Sequence, residues 1–387
     1  MKRAVVSLVL VACGGSGDKP PGDSSSDTQP DGGPACVRPA APADRVRHVV
    51  VAHPYDAASM KSNLWEVLDL SATGELSRPN RMFTMGRAYI GEVAFTPDGK
   101  IGIAPQEDGS LGIFKLDDAG MPTVLHTNFK GMFYAGRVVV APNGTIYILD
   151  DQWRNNGGGI YELAIDCNDV VTDRGLVAAS KLPAALDFTA NGKWVVAAND
   201  IGDSMPGADA HLLSPGGTLI ASTDAFSDDL QIVGGATLTR DGSAFLIGDT
   251  SQYSGVPNRV AIVPVEEARL GTASVISNIE DPLALLASPF ADKVLVVSGF
   301  GDAMFQLAKS GATWSLTGEL TYVGAKPQLP GGAVMVEAGA LRGLVLVAEN
   351  LGVRRVEMFS DGNIVDRGMF SLGSGIENST GAIGVTP

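Results

Sequence analysis

The sequence has few of the side chains on which most catalytic and metal-binding motifs depend. It contains four histidines and three cysteines among 387 residues. No two cysteines form a Cys-x-x-Cys pair, so the sequence supports neither a thiol redox motif nor a zinc knuckle. A Gly-x-Ser-x-Gly elbow, a Gly-x-x-x-x-Gly-Lys-Ser/Thr phosphate loop and a His-Glu-x-x-His helix are also missing. The sequence therefore offers no recognisable catalytic motif.

Positive charge is scarce as well. The chain carries 28 Lys and Arg against 43 Asp and Glu, which gives a formal net charge of −15 and a pI near 4.6. A protein with this balance repels a phosphate backbone, so nucleic acid is excluded as a partner. The apolar stretch at residues 4–11 is far too short to cross a bilayer as a helix.

The N-terminus has the features of an export signal. Two basic residues follow Met1, the apolar stretch 4–11 comes next, and Leu10-Val11-Ala12-Cys13 resembles the lipobox of bacterial lipoproteins. The resemblance implies that residues 1–12 are a lipoprotein signal peptide and that the thiol of Cys13 carries a lipid. Each buried CH₂ of an acyl chain contributes about 0.8 kcal/mol, so a multiply acylated cysteine anchors a protein stably. Gly14 stands where Asp signals inner-membrane retention, which favours the outer membrane.

A linker follows the predicted lipid attachment site. After Cys13, the segment up to residue 35 is rich in Gly, Ser, Pro and Asp and has no aromatic side chain, so it cannot bury enough surface to fold. A random coil of this length spans roughly 25 Å. The sequence thus predicts a lipidated cysteine and flexible linker at residues 13–35 and a folded domain at residues 36–387.

The folded region contains a repeating turn signal. Asp/Asn-Gly pairs flanked by alternating apolar residues recur every 45 to 50 residues, namely Asp98-Gly99, Asn143-Gly144, Asn191-Gly192 and Asp241-Gly242. Such pairs are typical of two-residue hairpins of type I′, in which both central residues take a positive φ. The period, with about four short strands in each unit, predicts a β-propeller.

The chain ends account for the last repeat. Six units begin with comparable apolar segments, at residues 91–95, 136–140, 185–188, 235–238, 283–286 and 332–335. Residues 381–387 match residues 91–97 up to the turn, where the chain stops, and residues 48–52 and 63–69 supply the strands that would follow. We therefore predict an all-β, seven-bladed β-propeller that a C-terminal strand closes within the N-terminal blade, because closure removes a bare sheet edge.

The amino-acid sequence of the repeats resembles a known group of propellers. Residues 93–100 (Val-Ala-Phe-Thr-Pro-Asp-Gly-Lys) and 191–200, together with Leu64-Trp65-Glu66-Val67-Leu68-Asp69, are similar to the YVTN and lactonase-like propeller superfamily. The resemblance implies the propeller fold, and it implies as an alternative function a lactonase-like hydrolase with Arg, His and Glu at the channel mouth. Arg87, Arg137 and Glu92 stand near the starts of inner strands, where such a role is expected, although salt-linked or solvated side chains are the competing interpretation.

Candidate ligand-binding residues come from the loops between the second and third strands of the blades, which share one face. They are Asp56, Asp108, Asp151, Trp153, Asp200, Asp249, Tyr253, Asp302 and Glu349. An acidic, aromatic mouth of this kind suits a sugar or a Ca²⁺ ion. The alternative is that Asp and Asn only close hairpins by accepting bonds from their own backbone. No calcium-loop spacing occurs, so no cofactor is predicted and Ca²⁺ stays the alternative.

The remaining cysteines and the histidines have simpler predicted roles. Cys36 and Cys167 are predicted to form a disulfide, which an exported location permits. His48 and His53 are five residues apart on one strand and so point to opposite faces, which argues against a shared metal. Trp65 and Trp194 lie in apolar strands and are predicted to pack between blades.

Together these observations predict an exported protein that is lipid-anchored to the bacterial outer membrane. We expect a monomer that acts as a binding or scaffold module for an envelope protein, a glycan or a small ligand at its loop face. The alternative function is the lactonase-like hydrolase with its site at the channel mouth.

The lipid anchor gives the first testable prediction. Replacement of the Cys13 thiol by a hydroxyl, in Cys13→Ser, should release the protein from the membrane fraction, because no other segment is long and apolar enough to hold it there. Cell fractionation followed by immunoblotting measures the distribution. A Cys13→Ser protein that still sediments with membranes would show that the anchor lies elsewhere.

Overall fold

The structure is a computed structural model. It describes residues 38–43, 45–53, 63–88, 91–151, 158–180, 182–201, 206–226, 233–250, 259–299, 301–373 and 381–387. Cys13 and Cys36 lie outside these ranges, as do the candidate residues Asp56, Trp153 and Tyr253.

Within the described ranges the chain forms 28 β-strands. In chain order they are β1 Arg47–His53, β2 Leu64–Leu70, β3 Leu76–Thr84, β4 Ala94–Phe95, β5 Ile101–Pro105, β6 Leu111–Leu116, β7 Pro122–Phe129, β8 Ala135–Val140, β9 Ile146–Asp150, β10 Gly159–Ile165, β11 Val171–Ala178, β12 Pro183–Phe188, β13 Trp194–Ile201, β14 Pro206–Leu213, β15 Leu219–Asp224, β16 Val233–Leu238, β17 Ala244–Asp249, β18 Arg259–Pro264, β19 Ser274–Ser277, β20 Pro282–Ala287, β21 Lys293–Ser298, β22 Ala303–Ser310, β23 Thr313–Glu319, β24 Ala333–Met335, β25 Leu344–Glu349, β26 Gly352–Met358, β27 Ile364–Ser371 and β28 Ile383–Val385. A 3₁₀ turn at Gly339–Leu341 precedes β25.

The strands form seven four-stranded antiparallel sheets, which we call blades A to G in chain order. Blades B to G each use four consecutive strands, from β4–β7 in blade B to β24–β27 in blade G. Blade A has the order β28-β1-β2-β3. Inner strands of neighbouring blades contact one another around the ring, so the protein is the seven-bladed β-propeller that the repeats predicted.

Burial along each blade explains why these segments become strands. The second strands are buried along their length, as in β17 and β25, because both faces of the sheet contact neighbouring blades. Such strands need continuous apolar sequence. The outer strands alternate buried and exposed residues, as in β27, which is the period of a strand with one face in solvent.

The hydrophobic core lies between the blades. The buried apolar residues fall into seven clusters, and each cluster joins two adjacent blades. Trp65 of blade A packs in the cluster shared with blade B, and Trp194 of blade D packs in the cluster shared with blade C. Both tryptophans are therefore inter-blade core residues, as predicted.

The C-terminal strand closes the ring in the predicted blade. Ile383 pairs with Val51 and Val385 pairs with Val49 in an antiparallel ladder. The same strand also bonds to blade B, because the Val93 amide donates to the Ile383 carbonyl at 2.8 Å. One short segment thus joins the first two blades and removes the sheet edge that blade A would otherwise expose.

The turn type predicted for the Asp/Asn-Gly pairs is wrong. The glycines at 99, 144, 192 and 242 have positive φ, but the Asp or Asn before each of them does not. The Gly99 amide instead donates to the Thr96 carbonyl across a four-residue turn. Pro97 holds φ near −65° at the second turn position, which suits a type I turn followed by a left-handed glycine.

Two faces of the ring follow from this connectivity. The turn face carries the connections from first to second strand and from third to fourth strand of each blade. The loop face carries the connections from second to third strand and from one blade to the next. Among the described residues no helix is long and apolar enough to cross a membrane.

Closure of the ring gives a prediction about stability. Ile383 is fully buried between blades A and G, so Ile383→Ala should lower the free energy of unfolding by about 2–5 kcal/mol. Ile220→Ala is the control, since Ile220 is 40% exposed on β15 and its truncation should change stability by no more than about 0.5 kcal/mol. Urea unfolding followed by fluorescence measures both. Equal effects of the two variants would contradict closure by this strand.

Candidate binding site at the channel mouth

The inner strands begin at the loop face with small residues. Gly91, Gly136, Gly234, Gly332 and Ala382 are among them. A Cβ on Gly332 would overlap the carbonyl oxygen of Gly91, so these strands approach too closely for larger side chains. The only charged residues in the opening segments 91–92, 135–137, 183–185, 233–236, 282–284, 331–333 and 381–382 are Glu92 and Arg137. We call this end of the ring axis the channel mouth.

Glu92 is held at the mouth by the closing strand. Its backbone forms a parallel bridge to Ile383, flanked by a bond from the Ile383 amide to the Gly91 carbonyl at 3.1 Å. The Glu92 side chain is exposed to solvent, yet burial within the ring raises its pKa, Arg137 opposes that rise and Asp187 adds to it. A side chain in a narrow channel is expected to have both properties, because it is exposed to solvent and is also surrounded by protein atoms.

Arg137 lies on the neighbouring blade. A β-bulge in the pairing of β8 with β9 falls between Ala135 and Arg137, and bulges often redirect a side chain near functional sites. The Arg137 guanidinium is close enough to Glu92 and Asp151 to lower the pKa of both carboxyl groups. Within the described ranges it forms no ion pair or hydrogen bond.

Asp151 completes the group. It follows the last residue of β9, and its carboxylate fills the space that a side chain on Gly136 would need, next to Arg137. Burial and the neighbouring Asp150 raise the pKa of Asp151 to about 6, against the opposing influence of Arg137. Glu92, Arg137 and Asp151 therefore form one polar cluster, which we call the mouth cluster.

Carboxylates farther along the axis extend the negative potential. Glu337 of blade G has a raised pKa because of burial and the charges of Asp187 and Glu92, on blades D and B. Residues on such distant blades interact only if they face one another across the axis. Asp187 is already used structurally, since its two carboxylate oxygens accept the amides of Phe188 and Leu238 at 2.8 Å each.

Two predicted site residues are buried against arginines. Asp249 at the end of β17 accepts a bond from Arg259 Nε at 3.1 Å. Glu349 at the end of β25 contacts Arg354, and Arg354 also bonds to Asp366 at 2.7 Å. All three of these contacts lie inside blades E and G, which leaves the binding role of Asp249 and Glu349 untested.

Two further predicted residues organise loops. Asp108 accepts bonds from the hydroxyl and the amide of Ser110, which is the hairpin-closing alternative. Asp302 has a φ of 48° and accepts the Leu329 amide at 2.7 Å, so it links two connections of the loop face.

The structure thus brings one of the predicted residues, Asp151, into the mouth cluster. Asp56, Trp153 and Tyr253 lie outside the described residues, and of Asp200 only the backbone, in β13, is described. Sequence reasoning named Glu92 and Arg137 as candidates for the hydrolase alternative but did not connect them with Asp151. When the blades are aligned, the positions at which the inner strands begin hold mostly small residues. A charged residue at one of these positions was the signal that could have identified the cluster.

The other hydrolase candidate and the histidines lie apart from the cluster. Arg87 forms an exposed ion pair with Glu107 at 2.8 Å. His48 bonds to Asp69 and His53 to Glu66, so the two have separate partners. None of the four histidines is on an inner strand, because they lie on β1, β7 and β14. The described residues also contain no group of three side chains able to hold a metal ion.

Comparison with known proteins shows the fold. No family model matches the chain, and no curated protein matches it. A solved protein from Lactobacillus plantarum is 11% identical, with a TM-score of 0.62 over 88% of this chain and 100% of that chain. A putative 6-phosphogluconolactonase from Bacteroides fragilis is 12% identical, with a TM-score of 0.56 over 89% and 99%. Sqt1 from Chaetomium thermophilum is 15% identical, with a TM-score of 0.53 over 87% and 88%.

These neighbours agree with the propeller resemblance found in the repeats, since a putative 6-phosphogluconolactonase is among them. At such low identity they show the fold and no activity, and the seven blades are seen in the sheets of this chain.

The raised pKa of Asp151 predicts a distinct pH dependence of stability. Between its ordinary value of 3.8 and about 6, the folded protein holds a proton that the unfolded chain has released, so stability falls as pH rises through this window. Asp151→Asn should remove that decline and be at least as stable as wild type at neutral pH. Urea midpoints measured across the pH range give the slope.

Asp108→Asn is the matched control. Burial favours the neutral form of Asp108, but bonds from Ser110 and the nearby Lys130 outweigh burial and lower its pKa. Its carboxylate therefore stabilises the fold above the ordinary pKa, and the variant should lose stability there. An unchanged pH slope in Asp151→Asn would contradict the buried position assigned to Asp151.

Proposed function

We propose that the protein is a lipid-anchored, extracytoplasmic binding module whose ligand site is the mouth cluster. The observation that carries the proposal is Arg137, a guanidinium at the channel mouth that no described carboxylate neutralises at ion-pair distance. A guanidinium presents five hydrogen-bond donors in a fixed geometry. The space beside Gly91 at the mouth is open, and polar groups in a ligand site give orientation and specificity.

The charges of the mouth cluster favour a neutral, hydroxyl-bearing ligand such as a sugar. Glu92 and Asp151 outnumber Arg137, and the whole chain has a net charge of −15, so an anion would be repelled. Hydroxyl groups can donate to both carboxylates and accept from the guanidinium. Burial disfavours the ionised forms of Glu92 and Asp151, and new hydrogen bonds from a ligand would offset that cost.

The lipobox at Cys13 supports the anchor, and the sequence places the linker between this cysteine and the propeller. Cys167 is disulfide-bonded, and its partner lies outside the described residues. Arg38, two residues after Cys36, donates to the Asp166 carbonyl at 2.9 Å beside Cys167. The proximity supports the Cys36–Cys167 pairing that the sequence predicted.

Lactonase-like hydrolysis is the second candidate, and Asp151 is the observation that favours it. With a pKa of about 6, its carboxylate is ionised at neutral pH and could take a proton from water as the water oxygen attacks a lactone carbonyl. Arg137 would stabilise the oxyanion until the ring C–O bond breaks and the leaving oxygen is protonated. The absence of all four histidines from the inner strands favours binding over hydrolysis.

A ligand screen tests the binding proposal. Thermal-shift measurements on the purified full-length protein with a panel of sugars and lactones should identify a stabilising ligand. Arg137→Ala should then weaken binding by about 10- to 100-fold, because a hydrogen bond to a charged group contributes roughly 1.5–3 kcal/mol. Titration calorimetry measures the affinity.

Arg174→Ala is the control variant. Arg174 forms a surface ion pair with Glu162 on outer strands of blade C at 3.2 Å, and its removal should leave binding unchanged. Loss of affinity in both variants, or in neither, would contradict a site at Arg137. Turnover of a lactone by wild type that Asp151→Asn abolishes without unfolding would identify the hydrolase instead.

A further inference from the structure

The N-terminal strap is the segment that leads into β1, described at residues 38–43 and 45–46. It runs over the turn face, and its contacts, together with that of Arg47, reach blades B, C and G. At its start, Arg38 donates to Asp98 at 3.2 Å, to Asp169 at 3.0 Å and to the Asp166 carbonyl at 2.9 Å. Asp98 belongs to a turn of blade B, while Asp166 and Asp169 belong to a turn of blade C.

The rest of the strap is fastened at the same face. The Ala41 amide donates to the Pro97 carbonyl at 2.9 Å, and Arg45 Nη1 donates to the Asp98 carbonyl at 2.9 Å. At the start of β1, Arg47 reaches the Ala338 carbonyl of blade G at 2.9 Å. The backbone of the strap is therefore fixed at several points between blades C and G.

The ionic contacts of Arg38 are protected from solvent. The side chains of Arg38, Asp98 and Asp169 are 12%, 13% and 17% exposed. Burial favours the neutral forms of both acids, but bonds from Arg38 and neighbouring groups outweigh it, so their pKa values are lowered. Partly buried, doubly paired arginines hold their geometry better than isolated surface ion pairs.

We propose that the strap sets the orientation of the propeller on the membrane, with the turn face toward the bilayer and the channel mouth toward the solution. This inference rests on the lipid anchor of the proposed function. Arg38, the first described residue of the strap, lies at the turn face, beside blades B and C.

Distances favour this orientation. The linker spans roughly 25 Å as a random coil, and a blade strand of eight residues is about 26 Å long. To bring the loop face to the bilayer, the linker would have to pass the full depth of the ring and around its rim. Such stretching is entropically unfavourable, so the mouth cluster stays accessible to a soluble or surface-borne ligand.

Fluorescence quenching tests the orientation. Ala312 lies in the β22–β23 turn on the turn face, Ala325 lies in the connection from blade F to blade G on the loop face, and both are exposed. Ala312→Cys and Ala325→Cys in the full-length acylated protein provide matched labelling sites, because the proposal leaves no other free thiol. In it Cys13 carries the lipid and Cys36 pairs with Cys167, which is disulfide-bonded. The labelled proteins are reconstituted in phosphatidylcholine vesicles that contain a lipid with a nitroxide on its headgroup.

Several-fold stronger quenching at position 312 than at position 325 is the expected result. Equal quenching, or stronger quenching at 325, would overturn the orientation while leaving the anchor intact. Vesicle flotation separates the two proposals, since a wild-type protein that fails to float would overturn the anchor and the orientation with it. Ligand binding, measured independently, bears on the mouth cluster alone.

A variant of the strap tests whether the contacts of Arg38 set the orientation. In a Cys36→Ser, Cys167→Ser background, which removes the disulfide, Arg38→Ala removes the contacts to Asp98 and Asp169 and lengthens the free linker, so the ratio of quenching at 312 to quenching at 325 should fall toward one. Arg174→Ala, on the outer strands of the same blade C, should keep the wild-type ratio. A ratio that Arg38→Ala leaves unchanged would overturn the role of the strap.

Discussion

Apolar packing between adjacent blades is the interaction on which the rest of the structure depends. Each blade is too thin to enclose a core, and the seven hydrophobic clusters all lie at junctions between two blades. Repeat proteins of this kind are stable only when every repeat has two neighbours or a cap. The ring supplies both neighbours to every blade, and Ile383 is buried because the last strand completes the first blade.

The same packing shapes the axis of the ring. The inner strands converge until a side chain on Gly332 or Gly384 would overlap the carbonyl oxygens of Gly91 or Val93. Small residues are therefore required where these strands begin. Glu92 and Arg137 are the charged exceptions in the opening segments of the described inner strands. The closing strand also bonds to both sides of Glu92, which ties the geometry of the mouth cluster to ring closure.

Sequence reasoning predicted what depends on local pattern and missed what depends on distant partners. The repeat period and the match of residues 381–387 to residues 91–97 identified the fold and its closure, because each blade encodes its own strands. The hairpins were assigned the wrong turn type because the fixed φ of Pro97 was not weighed against the Asp98-Gly99 pair. The carboxylate of Asp249 pairs with Arg259 on the next strand, a partner that sequence reasoning did not identify. Only coordinates show that Asp151 lies over Gly136, next to Arg137.

Asp241 on the turn face and Asp151 at the channel mouth differ in how their burial is compensated. On the turn face, burial would raise the pKa of Asp241, yet bonds from Ser243 and Thr239 and the charge of Lys309 outweigh burial and bring the pKa to about 2. At the channel mouth, burial and Asp150 raise the pKa of Asp151 to about 6, and the charge of Arg137 does not restore it. Asp241 already has the partners that its ionised form needs, so it contributes to the fold and gains little from a ligand. For Asp151 the charge of Arg137 and a bond from its own backbone do not outweigh burial, and a hydroxyl-bearing molecule that donates to it would relieve an unfavourable environment. The electrostatics of these two aspartates therefore favour recognition of such a molecule at Asp151 rather than at Asp241.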